Sequence, residues 1–173
     1  MDLKKTIRSI PDWPIKGVIF RDLTTLMQDP AAFRASCDVL YDRYKAMNID
    51  KIVGIDARGF VFGAVLAYKL DIGFIPVRKK GKLPSKTIQE TYSLEYGKDT
   101  LEIHEDAVKE GEKVVIVDDL IATGGTVGAT VKLVKKLGAD IIECAFIVEL
   151  PDLKGRDQIK DCKVYSIAEF EGE

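Results

Sequence analysis

Short apolar runs along the chain alternate with stretches whose apolar residues recur at helical spacing. In Ala31–Met47, Phe33, Cys37, Leu40, Tyr41 and Tyr44 fall on one side of a 3.6-residue period, which predicts an amphipathic helix. Lys51–Ile55 predicts a short strand and Gly59–Leu70 a helix. Ile72–Val77 and Val114–Val117 are further strand-like runs. Gly128–Leu137 predicts a helix with Val131, Val134 and Leu137 on one face, closed by Gly138. Ile141–Leu150 and Val164–Ile167 complete the series. Strands that alternate with helices predict an α/β fold: a mostly parallel central sheet flanked by helices on both faces.

One section breaks the rhythm. Lys79–Gln89 reads as a polar, basic loop, and it leads into two alternating runs, Thr91–Tyr96 and Leu101–His104. Gly97-Lys98-Asp99 between them predicts a hairpin. A long loop inside a compact domain is uncommon and often functional. The pattern holds no internal repeat or linker, so residues 1–173 are expected to form one domain.

Composition narrows the chemistry. With 46% hydrophobic and 31% charged residues the chain is ordinary for a globular protein. No run approaches the roughly 20 apolar residues needed to span a bilayer, and Met1-Asp2-Leu3-Lys4-Lys5 lacks an apolar signal core. Cys37, Cys144 and Cys162 are odd in number and lack metal-ligand spacing, so reduced thiols in the cytoplasm are expected and a structural zinc is not. His104 is the only histidine, which excludes any mechanism needing a pair. A net charge of −2 gives no field suited to nucleic acid, so an anion site must draw its positive potential from local groups.

The strongest motif is Val114–Thr126, in which a buried strand ends in Asp118-Asp119 and turns through Leu120-Ile121-Ala122-Thr123-Gly124-Gly125-Thr126 into a helix. In parallel α/β sheets ligands bind at the carboxyl ends of strands. Gly124 and Gly125 let successive N–H groups converge, Thr123 and Thr126 add hydroxyls, and the helix start adds its positive end. The result is a phosphate pocket. It is neither a Walker A loop nor a dinucleotide fingerprint, which favours a monophosphate. Asp118 and Asp119 would repel phosphate. They suit sugar hydroxyls or positive charge on a reacting ring instead. Gly54-Ile55-Asp56-Ala57-Arg58-Gly59 is a second strand-to-helix turn, in which Arg58 could fork onto phosphate. Arg78, Lys79, Lys80 and Lys82 form a basic cluster nearby in sequence. One neutral cradle and one cationic cradle suit a ligand with phosphate at one end and diphosphate at the other.

Val114–Thr126 resembles the signature of the type I phosphoribosyltransferases, which act on 5-phosphoribosyl 1-diphosphate. Further segments resemble the members that use adenine: Pro11-Asp12-Trp13-Pro14, Gly17–Asp22, Gly54–Phe60, Arg78–Pro84, Tyr92–Gly97, and Glu149-Leu150 through Lys154-Gly155-Arg156. These run in order across nearly the whole chain. The resemblance implies the type I fold with a small N-terminal hood (mainly 1–30) and a flexible hairpin lid (about 79–104). It implies transfer of phosphoribosyl to adenine, giving AMP and diphosphate, with Mg²⁺ as cofactor and a homodimeric assembly.

By the same resemblance Ala122, Thr123, Gly124, Gly125 and Thr126 would hold the 5-phosphate, and Asp118 and Asp119 the ribose hydroxyls. Asp56, Ala57 and Arg58, helped by Arg78 and Lys82, would hold diphosphate. Ile19, Phe20 and Arg21 would recognise adenine, partly through backbone groups. Glu95, Tyr96 and Arg58 would be catalytic, Glu95 managing the proton of the attacking nitrogen. No direct protein ligand to Mg²⁺ is implied. The ion would ride on diphosphate and ribose hydroxyls beside Asp118 and Asp119. Ala57 stands where some members carry serine. On residue pattern alone Glu95 could face outward from the hairpin, and Trp13 and Phe20 could be core residues. A transferase for another base, or a non-catalytic ligand sensor, would share the phosphate signature.

Overall fold

A computed structural model describes residues 1–94 and 96–172. After a short 3-10 turn at Leu3–Thr6, strands β1 (Arg8–Pro11) and β2 (Ile19–Asp22) form a two-stranded antiparallel ribbon of their own. Helices α1 (Thr24–Gln28) and α2 (Pro30–Tyr44) follow. Then come β3 (Lys51–Ile55), α3 (Arg58–Leu70), β4 (Gly73–Lys79), β5 (Thr87–Ser93) and β6 (Lys98–His104). The chain ends with β7 (Lys113–Ile121), α4 (Gly125–Lys136), β8 (Asp140–Glu149), 3-10 turns at Pro151–Leu153 and Gly155–Ile159, and β9 (Val164–Glu169).

The central sheet has seven strands in the order β5-β6-β4-β3-β7-β8-β9. The five from β4 to β9 are mutually parallel, and the β5–β6 hairpin extends one edge antiparallel. Strands β3 and β7 are neighbours, yet the chain leaves β3 toward β4 on one side and leaves β7 toward β8 on the other. That is the topological switch point, where a crevice opens beyond the carboxyl ends of the strands.

The alternation along β7 explains why its sequence is apolar without interruption. Val115 and Val117 pack with α2 and α3 on one face, while Val114 and Ile116 pack with α4 on the other. A strand covered on both faces buries every side chain. Helix α2 begins where local chemistry dictates: Asp29 accepts hydrogen bonds from the N–H groups of Ala31 (2.9 Å) and Ala32 (3.2 Å), with Pro30 in the first turn. It stops at Tyr44, short of the predicted Met47. Its last turn is fixed to β8 by an ion pair at a residue only 5% exposed: Arg43 grips Glu143 through two hydrogen bonds (2.6 and 2.8 Å), and the Tyr44 hydroxyl donates a third (2.6 Å).

Several boundaries differ from the sequence pattern. Strand β4 runs on to Lys79 and β5 starts at Thr87, so the polar loop shrinks to residues 80–86. Strand β6 begins at Lys98, so Lys98 and Asp99 belong to the ladder (Ser93↔Lys98, Tyr92↔Asp99) and not to the turn. Among the described residues no helix is long and apolar enough to cross a membrane.

Candidate active site

The two strand-to-helix turns singled out in the sequence meet at the switch point. Residues Asp56–Arg58 after β3 and Asp118–Val127 around the end of β7 line one open cavity of about 400 Å³, within the usual range of about 300–1,000 Å³ for small-ligand sites.

Strand β7 does not stop at Val117, as the apolar run suggested. It continues through the acids, with Asp118 paired to Phe146, Leu120 to Val148 and Ile121 to Glu149 on β8. The extended backbone there holds Asp118 and Asp119 rigidly at the mouth of the cavity. Helix α4 begins at Gly125, three residues before the predicted Gly128, because its first turn carries glycine and threonine where the apolar period would otherwise show. The first N–H groups of a helix have no partner within it, so they are available to an anion.

Gly124 makes the bend, at φ +83°. That is a left-handed conformation open to glycine at no steric cost. A Cβ on Gly124 would also lie 2.3 Å from the carbonyl oxygen of Gly155. A Cβ on Gly155 would lie 2.4 Å from that of Ala122. The Ala122–Thr126 turn therefore rests on the Gly155–Ile159 turn, backbone against backbone. The sequence carried no sign of this contact beyond Gly155 standing in the Lys154-Gly155-Arg156 resemblance.

The charges are arranged differently from two separate cradles. Arg58 opens α3 and donates through Nε to Asp119, which is 5% exposed, so the cationic turn is tied directly to the acidic strand end. Arg78 donates through Nε to Asp56 at 2.9 Å. Each arginine is thus partly neutralised within the site. Nearly half of the Arg58 side chain (47%) stays exposed to a ligand. Asp118 accepts the N–H of Asp119 at 2.8 Å. Burial first, and the adjacent Asp119 charge second, hold the Asp118 carboxyl well above the usual carboxylate range, with Arg58 pulling the other way. A cation or a sugar hydroxyl arriving there would relieve that strain of charge.

The remaining predicted residues are distributed more widely. Tyr96 is 85% exposed and Lys82 is also exposed, and neither lines the cavity. Glu95 lies outside the described residues. Ile19, Phe20 and Arg21 sit on β2 of the ribbon, not in the cavity wall. Trp13 and Phe20 are not core: their rings meet edge to face at 4.4 Å, with Trp13 49% exposed. The Arg21 side chain donates to Ser9 (2.6 Å) and stacks 4.4 Å from the Phe170 ring centre. Phe170 in turn donates its N–H to the Glu149 carbonyl, opposite the cavity residue Ile121. Tyr92, given no role of its own within the Tyr92–Gly97 resemblance, packs on Gly125 and accepts a hydrogen bond from Thr126 (3.3 Å). Among the described residues no group of three or more His, Cys, Asp or Glu side chains is placed to hold a metal.

Residues 22–172 match the phosphoribosyl transferase domain family. The chain is 66% identical over 173 residues to the adenine phosphoribosyltransferase of Desulfosudis oleivorans, covering 100% of both. Its fold is similar to the crystal structure of adenine phosphoribosyltransferase from Thermoanaerobacter pseudethanolicus (TM-score 0.93, 48% identity, 98% of each chain). It is also similar to the Saccharomyces cerevisiae enzyme complexed with an imino-altritol bisphosphate and adenine (TM-score 0.90, 40% identity, 96% of each chain).

Proposed function

The chain belongs to the phosphoribosyl transferase family, and from that premise we propose that it is a purine-salvage transferase that joins adenine to 5-phosphoribosyl 1-diphosphate, giving AMP and diphosphate. The observation that carries this reading is the single cavity formed where the phosphate turn and the Asp56–Arg58 turn meet through Arg58 and Asp119. One ligand with anionic groups at both ends of a sugar fits it. The yeast relative was solved with a bisphosphate sugar mimic and adenine together.

In this reading Ala122–Thr126 hold the 5-phosphate by backbone N–H groups and hydroxyls. Asp118 and Asp119 accept from the ribose hydroxyls. Asp56, Ala57 and Arg58, with Arg78 and Lys82, receive the diphosphate. Attack by the adenine ring nitrogen on the anomeric carbon expels diphosphate, and the ribose passes through an oxocarbenium-like state that the adjacent carboxylates stabilise. The proton leaving adenine goes to Glu95, a transfer contributing on the order of 10²–10⁴-fold. Tyr96 and the hairpin close over the centre to exclude water. The backbone of Ile19–Arg21 reads the base, because the Arg21 side chain is occupied by Ser9 and Phe170.

Mg²⁺ would fit the oxygen-rich donor set, since burial and the neighbouring Asp119 charge hold the Asp118 carboxyl well above the usual carboxylate range, a conflict that a cation beside the two acids would relieve. When bound, the ion neutralises charge on the diphosphate as it departs. Residues 1–173 act as one domain in the cytoplasm, with all three cysteines as free thiols, and a second copy of the chain completes a homodimer.

The test is AMP formation from adenine, phosphoribosyl diphosphate and Mg²⁺, with hypoxanthine and guanine in parallel. Turnover with adenine alone is expected. Preference for hypoxanthine would overturn the base assignment, and phosphoribosyl diphosphate binding without turnover would point to a sensor.

A further inference from the structure

The hairpin is fastened to α4 at two levels. Lower down, Glu90 on β5 pairs with Lys136 (2.6 Å) and Lys132 (3.7 Å). Higher up, the Tyr92 ring lies on Gly125, where a Cβ would come within 3.1 Å of it, and its hydroxyl accepts the proton of Thr126 Oγ1. Asp99 stands directly across the hairpin from Tyr92 in the β5–β6 ladder. Asp99 pairs with Lys79 (3.0 Å) at the end of β4, next to the Arg78 that holds Asp56. Tyr92 is thus where the first turn of α4 meets the hairpin, and its ladder partner Asp99 is where the hairpin meets the end of β4.

Thr126 has one hydroxyl proton to give. A phosphate oxyanion in the turn is a stronger acceptor than a phenol oxygen, because charge roughly doubles the strength of a hydrogen bond. A bound phosphate therefore takes the Thr126 proton. The Tyr92 hydroxyl then loses its hydrogen bond to α4, and the upper of the two fastenings opens.

We propose that Tyr92 is a positioning residue that couples occupancy of the phosphate turn to release of the hairpin, through exchange of the Thr126 hydroxyl from Tyr92 to phosphate. The proposal rests on the reading of Ala122–Thr126 as the phosphate site. It concerns a conformational step and assigns Tyr92 no contact with the reacting atoms.

The substitution Tyr92→Phe keeps the ring on Gly125 and removes only the hydroxyl. The resting enzyme then has no Thr126–Tyr92 bond to give up, so ribose 5-phosphate should bind about two- to fivefold tighter. A merely structural loss would weaken binding instead. Chymotryptic cleavage at the exposed Tyr96 supplies the second readout. In the wild-type protein ribose 5-phosphate should accelerate it. In Tyr92→Phe it should be fast already and indifferent to ligand, while Thr126→Ser, which retains a hydroxyl, should keep the ligand response. Ribose 5-phosphate binding that is unchanged or weaker in Tyr92→Phe, with cleavage still ligand-dependent, would overturn the coupling while leaving the phosphate site intact. Failure of the wild-type protein to bind ribose 5-phosphate would overturn the phosphate site itself.

Discussion

Replacing Gly155 with alanine tests whether the Ala122–Thr126 turn is held by close backbone contact. The new Cβ would fall 2.4 Å from the Ala122 carbonyl oxygen and 2.7 Å from Ile121 Cγ1, where ordinary contact begins at 3.4 Å. A gap of about 1 Å must open, and the first obstacle is backbone, which cannot rotate away. Overpacking of this kind costs about 1–3 kcal/mol, and the upper half of that range applies here. For a chain of this length each kcal/mol lowers Tm by about 2–4 °C, so Gly155→Ala should melt about 4–12 °C below wild type. The turn should also shift, and a displacement near 1 Å can cost on the order of 100-fold in rate. A raised KM for phosphoribosyl diphosphate should therefore accompany the lower Tm. Gly128→Ala is the matched control: it sits inside α4 with its nearest neighbour, the Gln158 Cβ, at 3.4 Å. Alanine there should be neutral or stabilise by about 0.5–1 kcal/mol. Thermal unfolding and initial-rate kinetics on the two variants decide the matter. A Gly155→Ala protein within about 1 °C of wild type and with unchanged KM would refute the argument.

The acid pair predicts a pH signature. Because the Asp118 pKa is raised in the folded protein above its ordinary value of 3.8, the native state holds more protons than the unfolded chain between the two values. Stability is then lost as pH rises through that window. Asp118→Asn should melt above wild type at pH 8, converge with it near pH 4, and lose activity throughout; parallel melting curves across that range would refute the assignment. At the other end of the sheet, Arg43→Met leaves Glu143 buried with Tyr44 as its remaining hydrogen-bond partner among the described residues. It should cost about 3 kcal/mol, or about 6–12 °C in Tm. A drop below 2 °C would show that Glu143 takes up its proton or finds water.

Much of this was legible in the sequence, for local reasons. Apolar period and length marked β3, α3, β8 and β9 to within a few residues, because burial on one or both faces imposes that period. The two turns that line the cavity stood out because glycines, threonines and acids cluster directly after buried strands. Their ends were less visible. Strand β7 runs through Asp118 and Asp119 because pairing with β8 outweighs the poor strand preference of aspartate. The Arg58–Asp119 and Arg78–Asp56 pairs join residues 61 and 22 positions apart, and nothing in either segment announces its partner. The β1–β2 ribbon left no periodic trace, since its four-residue strands are mostly exposed or half-buried. Gly155 stood out only within the Lys154-Gly155-Arg156 resemblance, and nothing local to it announces its contact with Gly124.

The ribbon has one more consequence. Its two strands pair only with each other, and a lone two-stranded unit is marginal in water. It stands because Arg8 and Thr24 hold Asp22, Thr25 bonds back to Thr6, and Arg21 leans on Phe170. Among the described residues no ladder carries a change in the ribbon into the sheet whose turns line the cavity. Substitutions at residues 10–20, away from Ser9 and Arg21 that tie the ribbon to Phe170, can therefore accumulate without disturbing the cavity, so a lineage could alter what the ribbon contacts while the two strand-to-helix turns stayed constant.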